Sequence, residues 1–160
     1  MSMIGNLMQI SPEMLAGFIA KPDEIESFLY PEDDEHENGI DIDKAWHGVH
    51  FLLSGDAWGG EAPLADAILG GTEIGDDAGY GPAKYLTTEE VRAVAAALRE
   101  LSASALGAKY DASDLTRNEI YPAIWDEPDS LNYLLAAYES VRSYYEEAAA
   151  KGNAMLKFLN

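Results

Sequence analysis

The sequence predicts an α+β fold, a single and mostly helical domain over residues 1–160 with a small sheet formed in part by the N- and C-terminal strands. Two short apolar runs of strand composition, MIGNLMQI and AMLKFL, stand near the two ends of the chain. Several amphipathic helical patterns lie between them. A length of 160 residues with 48% apolar residues suits one core, and no repeat or linker divides the chain.

The N-terminal third predicts a strand followed by two short helices. MIGNLMQI is the strand, and it ends at Ser11, which can cap a helix that begins with Pro12 and runs to about Ala20. Pro22 starts a second short helix, which stops before the next proline. The segment PEDDEHENG that follows has no apolar residue, so we expect an exposed loop over residues 31–39.

The middle of the chain predicts a buried helix and then two glycine-rich loops. Apolar residues recur with helical spacing at positions 42, 45, 46, 49, 52 and 53. Glycines at positions 55, 59 and 60 end this helix and open a loop. PLADAILGG predicts a short helix and AKYL a short strand.

The C-terminal half predicts two long helices and the closing strand. Thr87 and Glu90 have the spacing of a capping box, which opens a helix of about four turns. An apolar stripe from Leu131 to Ala149 predicts the last helix, and AMLKFL can pair with the N-terminal strand. NEIYPAIWD, between these helices, predicts either a strand or an extended segment bent at Pro122.

The acidic charge is concentrated in one part of the sequence. The formal net charge is −19, and the segment from Pro22 to Ala83 holds 16 acidic residues and one base, Lys44. Such a field disfavours nucleic acid and anionic membranes, and it attracts basic partners or cations. A solvated acidic surface that only maintains solubility is the alternative.

The sequence lacks the signals of membrane insertion, secretion and thiol chemistry. No run approaches 18 apolar residues, and the N-terminus has no basic start followed by an apolar stretch. There is no cysteine, which excludes disulfides and thiolate metal sites. We therefore expect a soluble, cytoplasmic protein.

The segment DIDKAWHGVHFLLSG contains two of the three histidines. On a helix, His50 lies about 40° from Trp46, within the apolar stripe, and His47 lies at its boundary. The two could share a metal with Asp43 as a third ligand, but that set is incomplete. We expect hydrogen-bonded core histidines, and neither a metal nor another cofactor.

No catalytic signature is present, and two loop aromatics suggest contact with a partner. The chain lacks G-x-S-x-G, H-E-x-x-H and a P-loop, so the sequence assigns no catalytic residue. Trp58 and Tyr80 each stand between glycines and acids, outside any apolar period. Rigid aromatics of this kind suit a protein–protein hot spot, or else each ring folds back onto the core.

Six segments together resemble the YfbM-like family of bacterial proteins of unknown function. They are MSMIGNLMQI, IDIDKAWHGVHFLLSG, PLADAILGG, GYGPAKYLTTEEV, NEIYPAIW and YYEEAAAKGNAMLKFL. The resemblance spans nearly the whole chain and implies one α+β domain, mostly helical, with a small sheet. Similar proteins occur among proposed immunity proteins encoded beside bacterial polymorphic toxins.

Charge and resemblance together predict an acidic immunity protein that neutralises a cognate toxin by covering its functional surface. Its partner is expected to be a basic protein such as a toxin domain, and not nucleic acid or membrane. The alternatives are an enzyme or small-ligand binder with a pocket near His47 and His50, and a self-associating structural or regulatory domain. The predicted contact residues are Glu32, Asp33, Asp34, Glu35, Glu37, Asp56, Trp58, Glu61, Asp76, Asp77 and Tyr80.

Overall fold

The C-terminal strand lies at the centre of a five-stranded antiparallel sheet. The computed structural model describes residues 3–30, 39–77 and 79–160. Its strands are β1 (Gly5–Ile10), β2 (Gly39–Asp41), β3 (Thr72–Ile74), β4 (Ala83–Leu86) and β5 (Ala154–Leu159). Their order across the sheet is β2, β1, β5, β4, β3. The predicted pairing of the two terminal strands is confirmed, with Leu7 opposite Lys157.

Helices account for most of the remaining described chain. They are α1 (Pro12–Ala20), α2 (Glu24–Leu29), α3 (Trp46–Ser54), α4 (Thr88–Arg99), α5 (Ala103–Gly107), α6 (Ala112–Arg117) and α7 (Ser130–Ala150). Short 3-10 helices form at Asp43–Ala45 and Leu64–Ala67. The predicted α+β fold is confirmed.

The predicted helix starts rest on the expected side chains. The Ser11 hydroxyl accepts a hydrogen bond from the Met14 amide at 3.1 Å, with Pro12 in the first helical position. Thr87 and Glu90 form the reciprocal capping box of α4. These starts depend only on neighbouring residues, which is why local sequence predicts them.

The sequence was less informative where elements are short. The strands β2 and β3 have three residues each and α5 and α6 have five and six, too few for a period to show. Residues 118–125 form turns, bends and irregular backbone, and not the strand that was one of two predictions there. Of the predicted acidic loop, residues 31–38 lie outside the described part of the chain, and Gly39 begins β2.

The sheet is covered on both faces. Leu7, Leu86 and Met155 belong to one core cluster with residues of α3, α4 and α7. Met8, Ala154 and Leu156 belong to a second cluster with residues of α1 and α2. Because β5 is covered on both sides, its first five residues are buried. Within the described ranges, no helix is both long and apolar enough to cross a membrane.

Close packing of α3 leaves no room beyond a hydrogen atom at Gly48. A Cβ there would lie 2.6 Å from Trp125 Cη2 and 2.8 Å from Leu134 Cδ1. Gly17 on α1 is exposed, and a Cβ there would meet no atom within 4 Å. The two helical glycines therefore form a matched pair.

We predict opposite effects of alanine at these two positions. Gly17→Ala raises the free energy of unfolding by about 0.5–1 kcal/mol, because alanine has the higher helix propensity. Gly48→Ala lowers it by about 1–3 kcal/mol, because the overpacked ring of Trp125 must shift. Urea unfolding of both variants measures the difference, and stabilisation by Gly48→Ala would show that α3 packs less tightly than described.

Candidate functional site

The loop after α3 presents an exposed tryptophan on a fixed backbone. Gly55 ends the helix in the left-handed region at φ 76°. The Asp56 Oδ1 atom then accepts hydrogen bonds from the amides of Trp58 at 2.9 Å and Gly59 at 2.8 Å. Trp58 is 64% exposed, the largest value among the exposed large hydrophobic residues of the described chain. An aspartate turn thus shapes this loop and leaves the indole open to solvent.

Two buried histidines hold the same loop from below. The Nε2 atom of His47 lies 2.8 Å from the Ala57 carbonyl oxygen, and that of His50 lies 2.8 Å from the Gly59 carbonyl oxygen. Since a carbonyl only accepts, each Nε2 carries the proton and donates it. The two bonds flank Trp58, so α3 fixes the backbone on both sides of the exposed indole.

The histidines are buried and hydrogen-bonded core residues, as the helical pattern predicted. Both are 0% exposed. His47 Nδ1 accepts a hydrogen bond from the Tyr121 amide at 2.8 Å, so both of its nitrogens are engaged. His50 Nδ1 is buried without a hydrogen-bond partner in the described structure. Burial lowers the pKa of His47, and burial, opposed by the Gly59 hydrogen bond, lowers the pKa of His50 to about 4.

The possible third metal ligand, Asp43, has a different role. Its Oδ2 atom accepts a hydrogen bond from the Tyr133 hydroxyl at 2.7 Å, which ties the start of α3 to α7. Burial and this carboxylate raise the pKa of Tyr133 to about 12. Among the residues whose placement is described, no group of three or more His, Asp and Glu side chains is arranged to hold a metal.

The Trp58 ring combines the two arrangements considered from sequence. Its centroid lies 4.3 Å from that of His47 and 6.2 Å from that of Trp46, so part of the ring rests on the core. More than half of its surface nevertheless remains exposed. The indole is supported from beneath and still available for contact.

A second aspartate turn shapes the loop that carries Tyr80. The Asp77 Oδ1 atom accepts hydrogen bonds from the amides of Gly79 at 2.7 Å and Gly81 at 2.9 Å. Tyr80 itself is half-buried. Asp56 and Asp77, both predicted as partner contacts, therefore also have a structural role, since one oxygen of each carboxylate organises its own loop.

The two aromatic loops, far apart in sequence, meet around one pocket. This pocket has a volume of about 300 Å³, and both Trp58 and Tyr80 line it. Its walls include Leu7, Ile42 and Leu69. The predicted aromatic contacts are thus brought together, whereas His47 and His50 are not among the lining residues.

The predicted acids are distributed unevenly around this site. Asp56, Glu61, Asp76 and Asp77 are exposed. The group from Glu32 to Glu37 lies outside the described residues. Glu73, which was not predicted, lines the pocket. Only part of the predicted contact set is therefore located by the structure.

Sequence reasoning missed two lysines of the pocket, Lys84 and Lys157. Lys157 on β5 is 3% exposed, and its ammonium donates to the carbonyls of Asp66 and Gly70. Burial lowers its pKa to about 7, an effect that the Asp66 carboxylate opposes. In the sequence, Lys157 is marked only as a single charged residue within the apolar strand AMLKFL. This pattern is equally typical of a strand with one solvent-exposed face.

Comparison with known proteins identifies relatives without an assigned function. A family model described as a domain of unknown function, DUF1877, matches residues 1–158. The crystal structure of YfbM from Escherichia coli, a protein of unknown function, matches with a TM-score of 0.76 and 26% sequence identity. That match covers 98% of this chain and 99% of YfbM. Among curated proteins, none matches the chain.

Because His50 is buried in its neutral form, we predict that the protein loses stability in mild acid. The pKa of His50 is about 4 in the folded protein and about 6.5 when unfolded, so between these values the unfolded state binds more protons. Its stabilising contribution is complete above about pH 6.5 and is lost as the pH falls towards 4. The free energy of unfolding should fall by up to about 1.4 kcal/mol per pH unit from this group.

His50→Gln tests this assignment, since glutamine can still donate to the Gly59 carbonyl but does not titrate. Urea unfolding of both proteins between pH 7 and 4, at about half-unit steps, isolates the histidine from the carboxylates common to both. We expect the free energy of unfolding to decrease less steeply with falling pH in the variant. Parallel curves would mean that His50 is not held neutral.

Proposed function

The chain belongs to the DUF1877 family of domains of unknown function, and we propose that it is a cytoplasmic binding protein that neutralises a basic partner. The partner is a bacterial toxin domain, and the protein acts as its immunity protein by covering the functional surface. One observation carries the proposal: Trp58, 64% exposed, and Tyr80 stand on preformed loops around a single pocket.

Preorganisation favours a binding role for these aromatics. Asp56, His47 and His50 fix the Trp58 loop before any partner arrives. Asp77 fixes the Tyr80 loop in the same way. Because these hydrogen bonds already hold the described backbone beside Trp58 and Tyr80, association loses little backbone entropy there, and more of the contact energy contributes to affinity.

Charge supports a basic partner. The net charge of −19 creates a field that accelerates encounter with a positive surface. Glu61 and Asp76 are exposed; Glu61 closely follows the Trp58 loop in sequence, and Asp76 directly precedes the Tyr80 loop. Neither side chain forms a hydrogen bond within its own loop among the interactions described, so both suit the polar rim of an interface.

The two alternative functions have weaker support. An enzyme that used His47 as a base would first have to break its bonds to Ala57 and Tyr121, which hold the Trp58 loop. Self-association through Trp58 would use the same exposed surface, and it is distinguished by mass measurements that depend on protein concentration. Neither alternative accounts for the strong acidic charge.

Trp58→Ala tests the aromatic contact. Affinity capture from the host lysate identifies a partner, and titration calorimetry with the purified partner then measures each variant. Loss of a central tryptophan should weaken binding by about 30-fold or more, since hot-spot truncations cost at least about 2 kcal/mol. Because the ring also rests on His47, we expect a decrease in Tm of a few degrees at most.

Ile19→Ala provides the matched control for this measurement. Ile19 is 48% exposed on α1, a helix that packs on the opposite face of the sheet. Its truncation should leave affinity unchanged. Full affinity in Trp58→Ala would refute the proposed contact, and a concentration-dependent mass with no foreign partner would favour self-association.

The acidic rim makes a separate prediction about rate. Asp76→Asn should slow association with the basic partner by a few-fold at low salt, and the difference should shrink as salt is added. Glu13→Gln on α1, also exposed, makes the same change in charge on a helix that packs against the face of the sheet opposite the pocket. Equal association rates in the two variants would show that the total charge of the protein, and not the position of Asp76, determines the rate.

A further inference from the structure

The pocket between the aromatic loops has the size and walls of a small-ligand site. Its volume of about 300 Å³ is at the lower end of the range found for ligand pockets. Leu7, Ile42 and Leu69 provide apolar walls, and the rings of Trp58 and Tyr80 stand beside them. Such surroundings favour a ligand with an apolar or aromatic body.

Two lysines give the pocket a positive pole in a strongly acidic protein. Lys84 on β4 lies directly opposite Lys157 on β5, and both line the pocket. Directly opposed residues of antiparallel strands point to the same face of the sheet, where two like charges repel. An anion placed between the ammonium groups would relieve this repulsion.

Both lysines retain N–H donors that no described residue uses. Lys84 Nζ donates to the Leu69 carbonyl at 2.6 Å, and Lys157 Nζ donates to the carbonyls of Asp66 and Gly70. A protonated lysine has three N–H groups, so after the hydrogen bonds to described residues two remain on Lys84 and one on Lys157 in its charged form. Within the described ranges, the ion pairs are Lys21 with Glu24, Arg117 with Asp114, and Lys151 with Glu147. Neither pocket lysine forms an ion pair with a carboxylate of a described residue.

Carboxylates at longer distance limit the charge that the pocket can accept. Glu73 lies opposite Lys84 on β3 and also lines the pocket. Asp66 and Glu90 act on Lys157 through space and favour its charged form. Because these acids offset part of the lysine charge, a single carboxylate suits the pocket better than a doubly charged phosphate.

We infer that this pocket binds a small organic carboxylate, with the carboxylate on Lys84 and Lys157 and an apolar or aromatic body between Trp58 and Tyr80. The inference does not depend on the proposed toxin partner, because it concerns the purified protein alone. A small ligand and a protein partner would share the aromatic loops but not the lysines.

Three probes of similar shape test the assignment. Phenylacetate, phenylacetamide and phenyl phosphate are each titrated into the ¹⁵N-labelled full chain, and amide and indole shifts are followed by NMR. Phenylacetate should bind with a Kd of the order of 1 mM, as expected for a ligand of this size. The neutral amide should bind about tenfold more weakly, because it lacks the charge-assisted hydrogen bonds. The shifts should centre on the Trp58 indole and the Tyr80 loop.

Lysine variants assign the contact to the proposed groups. Lys84→Gln should remove the preference for phenylacetate over phenylacetamide, and Lys84→Arg should retain it. Lys151→Gln on the exposed end of α7 is the control and should change nothing. Lys84 is half-buried, so its substitution is better tolerated than that of Lys157.

Three results would overturn the inference. The first is the absence of any NMR shift at the pocket with phenylacetate at about ten times the expected Kd. The second is equal affinity for phenylacetate and phenylacetamide. The third is tighter binding of phenyl phosphate than of phenylacetate. Loss of the preference for phenylacetate in Lys84→Gln, with unchanged binding of the protein partner, would support the carboxylate site independently of the proposed function.

Discussion

The fold depends on the position of β5 between β1 and β4. This strand closes the sequence, yet it forms the centre of the sheet and pairs with partners that are both distant along the chain. Helices cover it on both faces, so nearly every side chain on it is buried. Such pairings close long loops, and they are stable only when apolar burial outweighs the entropy lost.

The same central position explains the unusual environment of Lys157. A lysine in an edge strand would extend into water, whereas here the ammonium donates to the carbonyl of Asp66, in the Leu64–Ala67 helix, and to that of Gly70, just after it. A buried charge is tolerated only when hydrogen bonds replace its hydration. That requirement connects the centre of the sheet with the pocket beside it.

Polar groups, rather than apolar packing, determine the shape of the binding surface. Asp56 and Asp77 each gather the amides of their own loop, and His47 and His50 secure the Trp58 loop from the core. The buried histidines favour this loop geometry, because another would leave their Nε2 donors without an acceptor. A chain with a net charge of −19 thereby displays aromatic rings at a pocket that contains two lysines.

Local sequence determined the features that depend on near neighbours. The helix starts at Ser11 and Thr87, the amphipathic period of α3 and α7, and the apolar terminal strands were all predictable, because capping and periodicity act over a few residues. The burial of His50 followed from its angle to Trp46 on the same helix. The class of the fold followed from these elements together.

Only the tertiary structure decided how the site is assembled. The meeting of Trp58 with Tyr80, the opposition of Lys84 and Lys157, and the bond between His47 and Tyr121 all join residues that are distant in sequence. A lysine in AMLKFL has the same one-dimensional pattern on an exposed face as on a buried one. Which face is covered depends on where the helices pack, and no local pattern encodes that choice.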